Sequence, residues 1–145
     1  VRANVAHNKL PQISVLESAV WSSSGQVSFE PASESTQGHV STGQKAGVRS
    51  VSAVSLDDLV FRDGRRPPAF IKMDVEGAEW DVLQGARRVL AEAKPKLLCE
   101  IHHPAQCGDI QALLAEYGYQ SEKWEPVDPY YPDYHQLYIW AVKRA

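Results

Sequence analysis

The sequence predicts an α/β domain whose sheet is mostly parallel and closes on a C-terminal antiparallel hairpin. Three observations lead there. First, FIKMDV (residues 70–75) is a short apolar run, and past Gly77 the period changes. Ala78, Val82, Leu83, Ala86, Val89 and Leu90 recur at three- and four-residue spacing, one face of an amphipathic helix of about four turns. Pro95 stops it, and KLLCEI (96–101) follows as a second buried strand. A strand, a helix and a strand within ~30 residues form the βαβ unit of a parallel sheet. Second, GDIQALLAEYGY repeats the helical pattern with Asp109 as cap, Ile110, Leu113, Leu114 and Tyr117 inward and Gly118 as stop. Two strands, YQSEKW and QLYIWAV, then close the chain. Third, 145 residues with 43% hydrophobic and 23% charged content suit one globular domain. A chain of this size buries roughly 68–70% of its unfolded surface.

The earlier elements follow in order. VRANVAHN reads as the end of a helix, stopped by Asn8 and Lys9 before Pro11. QISVLESAVW (12–21) reads as a strand, and after the turn Ser22 to Gly25 the alternating QVSFE (26–30) completes a hairpin with it. Residues 31–47 are Ser, Thr, Gly, Gln and His with almost no large apolar side chain, the composition of a flexible loop inserted into the domain. VRSVSAVSL resumes as a strand. Ser55 caps a short helix from Leu56, with Asp57 and Asp58 near its positive end. FRDGRRPPA is a loop.

Composition excludes several classes. No apolar run approaches the ~20 residues of a membrane helix, and a net charge of −3 gives no pull toward nucleic acid. Arg62, Arg65 and Arg66 read as a solvated loop. Cys99 and Cys107 make neither metal spacing nor a disulfide framework, as in a reducing, cytoplasmic setting. The first residue is Val1, and the opening lacks the form of a signal peptide, so the chain is read as starting inside a longer one. There is no G-x-G-x-x-G after a strand, no P-loop, no G-x-S-x-G, no H-E-x-x-H and no C-x-x-C.

What remains is a polar cluster at two strand ends. Ligands of open α/β sheets bind beyond the carboxyl ends of the strands. Asp74 and Glu76 follow the first strand of the βαβ unit; Glu100, His102 and His103 end the second. Side by side, they would set carboxylates and an imidazole around one crevice, a set suited to acid/base work, hydroxyl activation or a divalent metal. The plainer account is that Glu76 and Glu79 accept from free N–H groups at a helix start. Gly77 permits a tight turn or a close approach. Trp80, Trp124 and Trp140 read as packing groups. Tyr130, Tyr131 and Tyr134 read as an ordered surface loop or a substrate mouth. His7, His39 and His135 receive no role.

The run IKMDVEGAEWDVLQGARRVL, followed by PKLLCEIHH, resembles the FkbM-type family of S-adenosylmethionine-dependent methyltransferases. Its hallmark is a strand entering I-K-x-D-V-E-G-x-E, a helix with L-x-G-A and a strand ending in E-x-H. Lys72, Asp74, Val75, Glu76, Gly77, Glu79, Leu83, Gly85, Ala86, Glu100 and His102 match it as they stand. Asn4, Val5 and Asn8, the run into Ala19 and Val20, and V-S-L-D-D-L agree in order.

The resemblance implies a Rossmann-like methyltransferase sheet of seven strands. It also implies that the Gly-rich cofactor turn and the ribose-holding acid lie before the position matching Val1. Residues 1–145 are then one partial domain, truncated at its N-terminus. Ser18 and Ala19 match the adenine contact of S-adenosylmethionine. The implied reaction is methyl transfer to a hydroxyl of a sugar, polyketide or other small molecule. His102 is the implied base, since an imidazole titrates near neutrality. Asp74 orients the acceptor or holds a divalent metal with Glu76 and Glu100. Two other classes stay open: a non-catalytic assembly module of the same fold, and a metal-dependent hydrolase using the acidic/His cluster. An unpaired sheet edge, left by the missing strands, invites pairing with a second copy.

Overall fold

The computed structural model describes residues 1–31, 38–40, 49–125 and 137–143. Helix α1 spans Arg2–His7 and ends as its sequence suggests: the Asn8 side chain donates to the Asn4 carbonyl at 2.8 Å, and Lys9 turns left-handed at φ 53°. The strands β1 (Ala19–Val20), β2 (Gly25–Pro31), β3 (Gly38–Val40) and β4 (Arg49–Val54) form one sheet in the order β1-β4-β2-β3. A second sheet, β5-β6-β8-β7, holds β5 (Phe70–Met73), β6 (Lys96–Ile101), β7 (Tyr119–Trp124) and β8 (Leu137–Lys143).

The architecture is therefore mixed α/β with two sheets, and the mostly parallel sheet is corrected. Among the described strands only β1–β4 and β5–β6 run parallel; β2–β3, β2–β4, β6–β8 and β7–β8 are antiparallel. A parallel pair needs a long crossover, and among the described residues the segment between β5 and β6 supplies a helical one. The closing hairpin of β7 and β8 forms as expected, with β8 inserted between β6 and β7.

The N-terminal hairpin does not form. Residues 12–21 pair only at Ala19 and Val20, and β4 lies between β1 and β2, so that Ala53 faces Ala19 on one side and Gly25 on the other. Val15 and Leu16 line a surface groove with Leu56, Leu59 and Val60 instead of joining a ladder. Within the stretch read as an insertion, Gly38–Val40 pairs antiparallel with β2; residues 32–37 and 41–48 lie outside the described residues.

The crossover helix is split. Helix α2 covers Glu79–Gln84, and a wider, π-type turn covers Val89–Ala93. The interruption has a tertiary cause. The Gly85 carbonyl accepts from the Asp57 N–H at 2.9 Å, and a Cβ on Gly85 would run into the Trp21 carbonyl oxygen. Asp57 then takes the N–H groups of Arg88 and Val89 at 2.9 and 2.8 Å, capping the second segment. So Asp57 serves a different helix from the one its position suggests. Ser55 does cap its own, accepting from the Asp58 N–H at 3.1 Å ahead of the π-type turn Asp58–Arg62.

Helix α3 (Cys107–Glu116) starts two residues before the expected cap, after a 3₁₀ turn at Pro104–Gln106, which leaves Asp109 in the first turn. Ile110, Leu113 and Leu114 are buried and Gly118 closes the helix at φ 78°. These side chains pack with Val82, Leu83, Ala86, Leu90, Leu97, Ile101, Ile139 and Ala141 into one core beneath the second sheet. Trp80 packs against that core and Trp140 against Phe70, with ring centroids 6.1 Å apart. Trp124 is 58% exposed and touches Tyr138 on one side, so its packing role is slight. No helix among the described residues is long and apolar enough to cross a membrane.

Candidate active site

Strands β5 and β6 are parallel neighbours with Met73 opposite Cys99, so the residues that follow emerge side by side at their carboxyl ends. Asp74 leaves β5 at this point and Glu100 is the next residue of β6. The chain after β5 then turns sharply. Glu76 and Gly77 both adopt positive φ, 51° and 96°, and a Cβ on Gly77 would lie 2.5 Å from the His103 ring. Only glycine fits there without strain. The turn brings Glu79, the first residue of α2, back under the crevice, where it is fully buried.

His102 is the hub. Its Nδ1 lies 2.7 Å from Glu79 Oε1, and its Nε2 faces Glu76 Oε2 at 3.5 Å, Asp74 Oδ1 at 3.8 Å and Glu100 Oε1 at 4.0 Å. Lys72 donates to the other Asp74 oxygen at 2.6 Å. Burial works against the charged imidazole, but the hydrogen bond to Glu79 and the charges of Glu79, Glu76 and Glu100 outweigh it and raise the His102 pKa above its ordinary value. Below the crevice, burial first and the carboxylates second push the Cys99 thiol up to about 12, so it is no nucleophile.

The sequence-predicted residues converge in two linked places. Asp74, Glu76, Glu100 and His102 surround one crevice. Ser18 and Ala19, at the head of β1, line a cavity of about 290 Å³ together with Val20, Phe29, Asp74, Val75, Glu76 and Ala78. Asp74 and Glu76 thus belong to both. For a cation, Asp74, Glu100 and His102 offer two oxygens and a nitrogen within 4.8 Å of one another. Tyr130, Tyr131, Tyr134 and His135 lie outside the described residues.

Sequence reasoning missed two features. Glu79 reads as a first-turn acid, and it does accept from the Gly77 N–H at 3.1 Å, but its bond to His102 spans 23 positions and leaves no local signal. The cavity walls Val20 and Phe29 come from strands whose pairing was misread.

A family model described as the methyltransferase FkbM domain matches residues 2–121. The chain belongs to the FkbM methyltransferase family. It is similar to the hexuronic acid methyltransferase AglP of Haloferax volcanii, 36% identical over 97 residues that make up 66% of this chain and 39% of that protein. Its fold is similar to the crystal structure of methyltransferase FkbM from Methylobacillus flagellatus KT, with a TM-score of 0.62 and 24% identity over 95% of this chain and 31% of that one. The chain spans well under half the length of both.

Proposed function

We propose that this chain is the acceptor-side part of an S-adenosylmethionine-dependent O-methyltransferase acting on a hydroxyl of a sugar, polyketide or other small molecule. The observation that carries the reading is that one cavity joins Ser18 and Ala19 to Asp74 and Glu76, with His102 beside it. The residues present fit part of such a cofactor: Ala19, Val20, Phe29, Val75 and Ala78 offer an apolar wall for an adenine ring, and two carboxylates complement a sulfonium charge. When bound, S-adenosylmethionine supplies an electrophilic methyl group.

The chain's own residues do the rest. His102 Nε2 takes the proton of the acceptor hydroxyl, and the carboxylates of Asp74, Glu76 and Glu100 stabilise the imidazolium that results. Asp74, tethered by Lys72, orients the acceptor. A sugar acceptor is supported by the hexuronic acid named for the AglP relative. The two cysteines are both free, which supports a cytoplasmic setting.

In the full-length protein, S-adenosylmethionine and its demethylated product raise the melting temperature, and His102→Ala abolishes methyl transfer while leaving that shift in place. Absence of any shift removes the reading. The donor set of Asp74, Glu100 and His102 favours a metal-dependent hydrolase as the second reading. Calorimetry with manganese, zinc and magnesium supports it if heat is seen and is lost in Asp74→Ala; no heat removes it. We also propose that residues 1–145 on their own pair through β5 with a second copy, because β6 is its one partner among the described strands and Phe70 is 49% exposed. A monodisperse monomer by light scattering overturns that.

A further inference from the structure

We propose that Glu79 is the positioning residue of this site, holding His102 with its proton on Nδ1 so that the lone pair of Nε2 faces the acceptor crevice. Glu79 is fully buried in the first turn of α2, flanked there by the buried Ala78 and Val82. A carboxylate in such a place costs several kcal/mol of desolvation unless partners offset it. Its partners are few. Oε1 accepts from the Gly77 N–H at 3.1 Å and meets His102 Nδ1 at 2.7 Å, while Oε2 is buried with no hydrogen bond among the described residues.

Helix capping does not account for this arrangement. A first-turn acid interacts with the helix N-terminus from the surface as well as from the core, and Asp81 already offers a less buried carboxylate in the same turn. What burial adds is a fixed, water-free bond to one ring nitrogen. A carboxylate at 2.7 Å accepts, so Nδ1 carries the hydrogen and Nε2 of the neutral ring is left bare. The carboxylates facing Nε2 stand at 3.5 to 4.0 Å, too far for a close hydrogen bond, which keeps that nitrogen available. The backbone secures the device: Gly77 at φ 96° aims its N–H at the same Glu79 oxygen, and its lack of a Cβ leaves room for the His103 ring.

The kinetic half of this inference rests on the methyl-transfer reading; the spectroscopic half does not. With ¹⁵N-histidine in the full-length protein, long-range ¹H–¹⁵N spectra at a pH where the ring is neutral show His102 protonated on Nδ1. In Glu79→Gln, nearly the same shape without the charge, the Nε2-protonated form gains population, and kcat falls on the order of 10²-fold with KM little changed. Glu79→Asp, which keeps the charge one methylene short, restores the Nδ1-protonated form in part. Wild-type His102 protonated on Nε2 overturns the proposal, as does a Glu79→Gln spectrum identical to wild type. If Glu79→Gln does not fold, the wild-type spectrum and Glu79→Asp decide. If no methyl transfer is detected at all, the tautomer still decides the role of Glu79, and only the choice of reaction is lost.

Discussion

The two sheets of this protein are built to different standards. The second sheet lies against α2 and α3, and nearly every member of the core cluster comes from it or from the segments beside it. Among its described side chains the first sheet contributes Ala53 to the buried residues, and the other positions of β4 are exposed or half-buried. Yet the two meet at the site: the first supplies Ser18, Ala19, Val20 and Phe29 as a wall, the second the carboxylates and the imidazole. The difference teaches that the carboxylates and the imidazole sit on the sheet with the larger described core, where their geometry is held, while the wall comes from strands whose described side chains are mostly exposed or half-buried.

The comparison breaks first if core substitutions cost the same in both. Leu90 is fully buried, and Leu90→Ala is expected to lower stability by about 2–5 kcal/mol in chemical denaturation. Val27 in β2 is half-buried, and Val27→Ala should cost less than about 1 kcal/mol. Equal losses would mean that the first sheet has a core of its own.

Gly85 is a second place where the two regions touch. Its neighbours are the backbone of Trp21 and Ser22 beyond β1, and a methyl group has nowhere to go but into that backbone. Gly85→Ala is expected to cost about 1–3 kcal/mol, with tryptophan fluorescence reporting the displacement of Trp21. An unchanged spectrum and midpoint would show that the sheets are not coupled through this contact.

Legibility in the sequence follows the same divide. The β5–α2–β6 unit could be read because its signals are local: an apolar run, a helical period, a stop at Pro95. The crevice could be read because parallel neighbours must emit their next residues side by side. The split of the crossover helix could not, since its cause is Asp57, 31 positions before Arg88. The pairing of β1 with β4 could not either, because short alternating strands carry no mark of which partner they take. Ser18 and Ala19 were found through family resemblance, not through any pattern of their own.

Asp57 gives the next, smaller test. Asp57→Ala removes acceptors for the N–H groups of Arg88 and Val89, a loss of about 1 kcal/mol. Because the partners are on the crossover segment, hydrogen exchange should rise at these two amides and leave β8 unchanged. Exchange that rises evenly across the second sheet would show that the cap supports the whole layer, not one helix start.

The smallest effect belongs to the site itself, because at His102 opposing causes partly cancel: burial lowers the pKa while Glu79, Glu76 and Glu100 raise it, and the net is upward. A group whose pKa is raised on folding stabilises the native state fully below its unfolded value, near 6.5, and loses that contribution as pH climbs through the folded value. Wild type should therefore exceed His102→Gln in stability at about pH 5, and the gap should narrow through neutrality toward about pH 9. The proton that stabilises the fold is the one that a base must first release, so methyl transfer should rise over the same interval in which the stability gap closes. A gap that widens with pH would mean that burial wins over the carboxylates. His102 would then stand neutral over this whole interval, and methyl transfer would not rise across it.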